Sequence, residues 1–272
     1  MSARLDEIVD RVLCSPRYRD VSRGLVHRLA GEEVPRARNP DDAAKRVKRR
    51  LHQAVGAFRG ERRADALDRI RAAWAGDFGD PAVRAACADA LRAHASTAER
   101  VPHLDDFYSG IWEHSGVPGR LIDIGCGLGP LALPWMGVGR ATYLATDVDE
   151  RPLQVVRSFL ELVDQPHTVR TMDAVAEPPV TAVDLALLLK LVPTLDRQDA
   201  DAATRLLSSL RARHAVVSFP GRSLGGRTKG MERSYRERLE RLVADAGRVS
   251  AVAEVSVPNE LVFVLTLEPV DG

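Results

Sequence analysis

A glycine-rich turn directly after a short apolar run is the feature that most constrains the fold of this chain. Residues 121–130 read LIDIGCGLGP, with three glycines within five positions and a proline behind them. Glycines allow the backbone to approach a ligand closely where a buried strand ends, and the N-terminus of a following helix favours negatively charged groups. This strand–turn–helix pattern predicts a nucleotide-binding edge in an α/β fold.

The rest of the C-terminal part supports this fold class. Short β-rich runs alternate with helical patterns at residues 120–125, 142–147, 167–172, 183–189, 214–219, 250–257 and 260–267. Such alternation predicts a doubly wound α/β domain with a mostly parallel sheet. The last two runs lie close together in the chain and predict an antiparallel hairpin at the end of the sheet.

The first 105 residues have a different texture, with helical patterns and no strand candidate. Leu5, Ile8 and Val12 recur at helical spacing, and Asn39-Pro40 is a helix start signal. We therefore predict an all-helical N-terminal domain over residues 1–105 and an α/β domain over residues 106–272.

Positive charge is concentrated in the helical part. Residues 1–105 contain 21 Lys/Arg and 16 Asp/Glu, although the whole chain has a net charge of only +1. The densest basic run is formed by Lys45, Arg46, Lys48, Arg49 and Arg50. It fits either a solvated helix face or a surface that follows the phosphates of a nucleic acid.

Several features indicate a cytoplasmic protein without a metal site. Cys14, Cys87 and Cys126 lack metal-type spacing and cannot all pair, as is typical of reduced thiols. The charged N-terminus has no apolar signal-peptide core, and no apolar run approaches the length of a membrane span.

The glycine-rich turn is followed by an acid at the expected distance. Asp147 ends the second run, 22 residues after Gly125, where a carboxylate can accept both hydroxyls of a ribose. The G-x-G-x-x-G spacing of dinucleotide sites is absent. The motif DIGCGLGP resembles motif I of the class I S-adenosylmethionine-dependent methyltransferases, which implies S-adenosylmethionine as cofactor and S-adenosylhomocysteine as product. Cys126 is then a small loop residue rather than a nucleophile.

Other charged residues follow predicted strands. Asp173 lies beyond the third run, where such enzymes commonly hold the adenine amino group, although it could also cap a helix. Asp123 is expected to organise the glycine-rich loop. Lys190 follows an apolar run and should emerge at the ligand-binding edge of the sheet, unless it is a surface lysine extending from a strand end.

The segment 218–235, SFPGRSLGGRTKGMERSY, carries four glycines and four cations. A flexible basic loop at this edge suggests a phosphate-rich substrate, and a mobile surface loop is the alternative.

Nearly the whole chain resembles the aminoglycoside-resistance 16S rRNA methyltransferases that modify N7 of guanine 1405. The stretches that carry the resemblance are HASTAERVPHLDDFY (94–108), DIGCGLGPLALPWMG (123–137), LLLKLVPTLDRQ (187–198), SFPGRSLGGRTKGME (218–232) and NELVFVL (259–265). The resemblance implies a Rossmann-like methyltransferase domain and the 30S ribosomal subunit as partner.

Roles for individual residues follow from this resemblance. Arg100 would hold the methionine carboxylate, and Gln198 would lie near the methionyl end. The implied cofactor-binding residues are Arg100, Asp123, Gly125, Cys126, Gly127, Asp147, Val148, Met172, Asp173, Ala174, Leu188, Leu189 and Gln198. The implied substrate-binding residues are Lys45, Arg46, Lys48, Arg49, Arg50, Lys190, Phe219, Arg222, Arg227 and Lys229.

Three positions depart from the family pattern. Gly129 replaces the asparagine of G-L-N-P, Ala98 replaces a basic residue, and Gly221 replaces the threonine of F-P-T. Each departure removes a polar or charged group near the expected site. One alternative is therefore a diverged member that N-methylates a small heterocyclic metabolite. A second alternative is a non-catalytic RNA-binding or assembly protein.

Methylation of guanine N7 would not require an acid–base constellation. N7 has a free lone pair that can attack a sulfonium methyl directly, so no proton must leave first and catalysis consists mostly of positioning and desolvation. Lys190 and Phe219 are the candidates for this role. Phe219 borders the basic loop and is preferred over Phe107 and Trp135 for stacking on an unstacked base.

Overall fold

A computed structural model describes residues 2–54, 64–221 and 229–270. Its helices are α1 (Ser2–Leu13), α2 (Arg23–Glu33), α3 (Pro40–Ala54), α4 (Ala64–Ala73), α5 (Pro81–Arg92), α6 (Leu104–Ser115), α7 (Leu133–Met136), α8 (Glu150–Leu162), α9 (Val192–Asp196), α10 (Ala202–Ser209) and α11 (Lys229–Ala246). Its strands are β1 (Arg120–Ile124), β2 (Thr142–Asp147), β3 (His167–Thr171), β4 (Val183–Leu189), β5 (Ala212–Pro220), β6 (Val249–Val257) and β7 (Glu260–Leu267).

The seven strands form one sheet in the order β3-β2-β1-β4-β5-β7-β6. The first five strands pair in parallel, whereas β7 is antiparallel to both β5 and β6. The predicted fold class is confirmed, including the C-terminal hairpin. The order reverses between β1 and β4, so a crevice is expected at their carboxyl ends.

Helices cover both faces of this sheet. In β4, Leu185 and Leu187 belong to the hydrophobic cluster on one face, whereas Ala186 and Leu188 belong to the cluster on the other. This alternation follows from the two-residue period of a strand. The run VDLALLL is nearly continuous in apolar residues because a central parallel strand is buried on both sides.

The first three helices form a hydrophobic cluster of their own, which includes Ile8, Val26, Leu29 and Val47. We call residues 2–54 the helical module. In α3, the Asn39 side chain accepts a hydrogen bond from the backbone N–H of Asp42 (2.9 Å), as the start signal predicts.

The hydrophobic clusters are divided differently from the predicted boundary at residue 105. Ile70 of α4 and Leu91 of α5 pack in the same cluster as Leu121 and Tyr143 of the sheet. These two helices therefore belong to the core of the α/β part, although their sequences are as helical as those before them.

The helical module is joined to the sheet through backbone hydrogen bonds. Ser22 N–H donates to the Val148 carbonyl (2.7 Å), and Glu150 N–H donates to the Asp20 carbonyl (2.8 Å). Val148 also packs against the apolar cluster of the module. The module is thus anchored directly behind the last residue of β2.

In the described part of the chain, no helix is both long and apolar enough to cross a membrane.

The contact between α6 and β6 predicts opposite effects for two glycine-to-alanine changes. A Cβ at Gly110 would lie 2.5 Å from Cγ1 of Val255, whereas a Cβ at Gly31 in α2 would meet nothing within 4 Å. Gly110→Ala should destabilise the protein by about 1–3 kcal/mol because the core is overpacked. Gly31→Ala should stabilise it by about 0.5–1 kcal/mol because alanine favours a helix.

Thermal unfolding of the two variants beside the parent protein tests this packing. A Gly110→Ala variant that melts as high as Gly31→Ala would show that α6 and β6 are not in close contact.

Candidate functional site

A pocket opens at the carboxyl ends of β1, β2 and β4, as the strand order predicts. The predicted cofactor residues that line it are Arg100, Asp123, Gly125, Cys126, Gly127, Asp147, Val148, Met172, Asp173, Ala174, Leu189 and Gln198. Leu188 does not line it and lies in the core instead. Its neighbour Leu189 faces the pocket because successive side chains of a strand point in opposite directions.

The glycine-rich turn is tied to the acid at the end of β2. Gly125 and Gly127 have φ angles of 69° and 52°, which strain any residue with a Cβ. Gly127 N–H donates to Oδ2 of Asp147 (2.9 Å), and Asp149 N–H donates to its Oδ1 (2.9 Å). Burial raises the pKa of Asp147. This carboxylate is thus held in place by the backbone of two loops.

His94 was not predicted as a site residue. Its ring lies over the turn, so that a Cβ at Gly127 would be 3.0 Å from its Cε1 atom, and it lines the pocket with Ser96 and Thr97. These residues lie in the stretch 94–108, in which a cofactor role was predicted for Arg100 alone. The signal was the resemblance of the whole stretch.

Asp123 lies beneath the glycine-rich turn. It is buried and accepts a hydrogen bond from the hydroxyl of Tyr143 (3.0 Å). Burial raises the pKa of Asp123 to about 7, against the opposing effects of the Tyr143 hydrogen bond and the charge of Arg100. A Cβ at Gly129 would lie 2.7 Å from Oδ2 of Asp123. A glycine at position 129 therefore leaves room for the Asp123 carboxylate.

Cys126 is buried within the same turn. Burial raises the pKa of its thiol well above the ordinary value, and the nearby Asp123 and Asp147 add to this effect. The sulfur therefore stays protonated, which fits a packing role rather than a nucleophilic one.

Arg28 of α2, in the helical module, binds two side chains that line the pocket. Its Nε donates to Oδ2 of Asp173 (2.8 Å), and its Nη2 donates to Oε1 of Gln198 (2.8 Å). Gln198 was expected at the methionyl end, but it shares one guanidinium with Asp173, the residue expected at adenine. Arg28 was missed because it lies 145 residues before Asp173, in a segment without a motif.

A buried charge network occupies another side of the pocket. Nε of Arg100 donates to Oε2 of Glu260 (3.1 Å), and its Nη2 donates to Oε1 of the same carboxylate. The Ser218 hydroxyl also donates to Oε1 (2.5 Å). Burial opposes the charge of Arg100, but the carboxylate of Glu260 raises the pKa of Arg100 above its ordinary value.

Lys190 joins this network at the end of β4. Its Nζ donates to Glu99 (3.0 Å) and lies 3.8 Å from Glu260, and the residue is only 8% exposed. Its φ angle of 55° is unusual for a lysine. Two hydrogen bonds from its N–H, to the carbonyl and the hydroxyl of Ser218 (3.1 and 3.0 Å), hold this conformation.

The prediction that Phe219 stacks on the target base is wrong. Its ring is fully buried, stacked on Tyr235 (4.9 Å between centroids) and edge-on to Phe263. Successive side chains of a strand point to opposite faces of the sheet. That of Phe219 points into the core instead of toward the pocket. The other candidates are also engaged, since Phe107 lies under Arg100 (4.3 Å) and Trp135 under Arg84 (5.4 Å).

The basic run on α3 is divided between two roles. Arg46 pairs with Glu33 (2.6 Å), and Arg50 pairs with Glu32 and donates to the Gln198 carbonyl (3.1 Å). These two arginines are used within the protein. Lys45 and Arg49 are exposed, Lys48 is half-buried, and none of the three has an ion pair with another described residue.

The central part of the basic segment 218–235 lies outside the described residues, between the end of β5 and the start of α11. Arg222 and Arg227 lie outside the described residues, as does the side chain of Lys229 at the start of α11.

Comparisons with known proteins agree with this geometry. The model of a family described as Ribosomal RNA methyltransferase (FmrO) matches residues 14–264. A 16S rRNA (guanine(1405)-N(7))-methyltransferase of Frankia casuarinae is 39% identical over 96% of this chain and 93% of its own length. One of Micromonospora echinospora, with the same description, is 36% identical over 96% of each chain.

A solved structure is similar over the same length. The crystal structure of the 16S rRNA methyltransferase RmtF in complex with S-adenosyl-L-homocysteine superposes with a TM-score of 0.83. It is 35% identical and covers 98% of this chain and 100% of that one. The similarity includes the helical module as well as the sheet.

The charge network predicts a large difference between two glutamates of the C-terminal hairpin. Glu260→Gln removes the carboxylate that two nitrogens of Arg100 bind. It should destabilise the protein by about 3–5 kcal/mol because the buried guanidinium loses its partner, whereas Lys190 keeps Glu99. The control Glu254→Gln breaks the pair with Arg236, in which both side chains are more than 40% exposed. It should cost at most about 1 kcal/mol. Denaturant unfolding measures both, and equal losses would contradict a special role for Glu260.

The raised pKa of Asp123 predicts a pH-dependent stability. Between the ordinary carboxyl pKa of 3.8 and about 7, the folded state retains a proton that the unfolded chain has released. Stability from this group is therefore lost as pH rises through that range. Asp123→Asn cannot lose a proton, so its melting temperature relative to the parent should increase between pH 5 and pH 8. Parallel melting curves across this range would contradict the assignment.

Proposed function

The chain belongs to the ribosomal RNA methyltransferase (FmrO) family, and from this membership we propose that it methylates N7 of guanine 1405 in the 16S rRNA of the 30S subunit. It is an S-adenosylmethionine-dependent N-methyltransferase. The observation that carries the substrate proposal is the extent of the match. Relatives that carry this activity in their description align over the helical module as well as over the methyltransferase sheet.

The residues of the pocket fit S-adenosylmethionine. Each carboxylate oxygen of Asp147 accepts one backbone N–H and retains a lone pair, so that the pair of oxygens can accept the two ribose hydroxyls. Asp173 would accept from the adenine amino group. Arg100 lines the pocket while two of its nitrogens face Glu260, which leaves Nη1 for the methionine carboxylate.

Methyl transfer to N7 requires little from the protein beyond positioning the cofactor and the guanine. When bound, S-adenosylmethionine supplies an electrophilic methyl group. Guanine N7 presents a lone pair and has no proton to lose, so this chain needs no general base. The two buried cations of the pocket, Arg100 and Lys190, are already paired with Glu260 and Glu99. Their role is to orient ligands and to exclude water, rather than to move a proton.

The substrate would be held by cations from two parts of the chain. Lys45 and Arg49 of α3 are exposed and suited to phosphates of rRNA, together with Lys48. Arg222, Arg227 and Lys229 match the family's positions near the target nucleotide. With a 30S subunit as partner, the protein would act in the cytoplasm. Methylation at this nucleotide would give resistance to 4,6-disubstituted deoxystreptamines such as kanamycin and gentamicin.

Mass spectrometry of 16S rRNA tests the proposed reaction. Purified protein incubated with 30S subunits and S-adenosylmethionine should make the nuclease fragment that contains guanine 1405 heavier by one methyl group. Asp147→Ala should lose this activity because the ribose acid is gone. The matched control Asp164→Asn changes an exposed acid that pairs with Arg140 outside the pocket, and it should keep full activity.

Two results would contradict the proposal. One is an unmodified fragment with a protein that binds S-adenosylhomocysteine normally. The other is methyl transfer to free heterocycles with no dependence on 30S subunits, which would favour the small-molecule alternative. Expression in a drug-sensitive bacterium gives a second readout, since tolerance to kanamycin should rise with the parent protein and not with Asp147→Ala.

A further inference from the structure

The helical module binds two side chains that line the cofactor pocket. The carboxylate of Asp173 and the amide of Gln198 both line the pocket, and both are bound by the one guanidinium of Arg28. The Arg28 side chain is only 17% exposed and that of Asp173 only 7%. Arg28 itself does not line the pocket, so it approaches these two side chains from behind.

This contact is part of a wider junction. Arg50 of α3 donates to the Gln198 carbonyl (3.1 Å), and residues 20–22 are hydrogen-bonded to residues 148–150, just behind Asp147. The module thus contacts three chain segments that line the pocket. A guanidinium held in such a junction has little freedom to turn away, so its hydrogen bonds have a defined direction.

The geometry leaves Asp173 one vacant acceptor position at the pocket. Its Oδ1 accepts from Nη2 of Arg28 (3.3 Å) and from Val175 N–H (3.1 Å), whereas among the described residues its Oδ2 accepts only from Nε of Arg28 (2.8 Å). A carboxylate oxygen has two lone pairs, so Oδ2 can accept one more hydrogen bond. The planar fork of arginine determines how both oxygens are oriented.

Gln198 is held in the same way. Its Oε1 accepts from Arg28 (2.8 Å), while its Nε2 donates to the Thr194 carbonyl (3.3 Å). Each end of the amide therefore makes one hydrogen bond within the protein. These two bonds fix the orientation of the Gln198 side chain on the Asp173 side of the pocket.

We propose that Arg28 is a positioning residue through which the helical module selects the adenine of the cofactor by its exocyclic amino group. The guanidinium orients Asp173 so that Oδ2 points to the amino group, and it holds Gln198 beside it. The helical module thereby completes the cofactor site in addition to any contact with RNA. This inference rests on the assignment of S-adenosylmethionine to the pocket, and it does not depend on which acceptor is methylated.

The test compares two ligands that differ at C6 of the base and at the neighbouring N1. S-adenosylhomocysteine carries an amino donor on C6 and a lone pair on N1. S-inosylhomocysteine carries on C6 a carbonyl oxygen, from which Asp173 cannot accept, and a proton on N1. Calorimetric titration of the full chain should show a clear preference for the adenosine compound. Arg28→Met should weaken its binding about tenfold, the usual effect of losing a charge-assisted hydrogen bond, and should weaken the inosine compound much less.

Two further variants separate positioning from general stability. Arg23→Met makes the same change on the same helix, where the arginine pairs with Asp10 inside the module, and it should leave the ratio of the two affinities unchanged. Arg28→Lys keeps the charge but not the two-pronged geometry, and its ratio should fall between those of the parent and Arg28→Met. Arg28→Lys also replaces Arg28→Met in the comparison if Arg28→Met is too unstable to titrate.

The ratio of the affinities for the adenosine and inosine compounds decides whether Arg28 positions Asp173. An equal loss for both ligands in Arg28→Met and Arg28→Lys, or no loss in either, would overturn the proposal, because a merely structural arginine cannot change discrimination at the amino group. The titration contains no RNA, so its result is distinct from that of the 30S assay. A protein with the expected discrimination and no rRNA methylation would contradict the proposed substrate while supporting the role of Arg28.

Discussion

The buried carboxylate of Glu260 holds together the charge network at one side of the pocket. It begins β7 and binds Arg100, the Ser218 hydroxyl and, at a longer distance, Lys190, so it connects the last strand with the ends of β4 and β5 and with the segment before α6. Burying these charges is costly, and the cost is offset only while each has its partners. The left-handed backbone of Lys190 is held by the same Ser218. The C-terminal hairpin therefore controls the geometry of residues far from it in sequence.

The pocket is thus completed from both ends of the chain. Glu260 supports Arg100 from the C-terminal hairpin, and Arg28 supports Asp173 from the helical module. The central strands supply the acids and the glycine-rich turn, as they would in any nucleotide-binding sheet of this topology. The flanking parts supply Glu260, which holds Arg100, and Arg28, which holds Asp173. The similarity to relatives likewise extends beyond the sheet to almost the whole chain.

Local patterns predicted the sheet and the acids at the strand ends. Strand periodicity, turn glycines and the residue after a strand can each be recognised within a short segment of the sequence. β2 and β4 were predicted with the bounds that they have in the structure. Glu260, Arg28 and His94 were missed because their roles depend on contacts across the fold, 160 residues apart for Arg100 and Glu260. The burial of Phe219 and the packing of α4 and α5 on the sheet were not predicted, for the same reason. Helical periodicity reveals an apolar face but not the surface that it covers.

Two departures from the family pattern can be explained by this packing. At position 129, a side chain would press on the Asp123 carboxylate, so glycine there and a buried acid at 123 are compatible choices. At position 221, a Cβ would lie 2.5 Å from the carbonyl carbon of Asn259 and 2.9 Å from the backbone nitrogen of Glu260. A larger residue would displace the start of β7, and with it the carboxylate that holds Arg100. Gly221 therefore preserves the charge network, so the loss of a polar group at this position does not by itself argue for a different substrate.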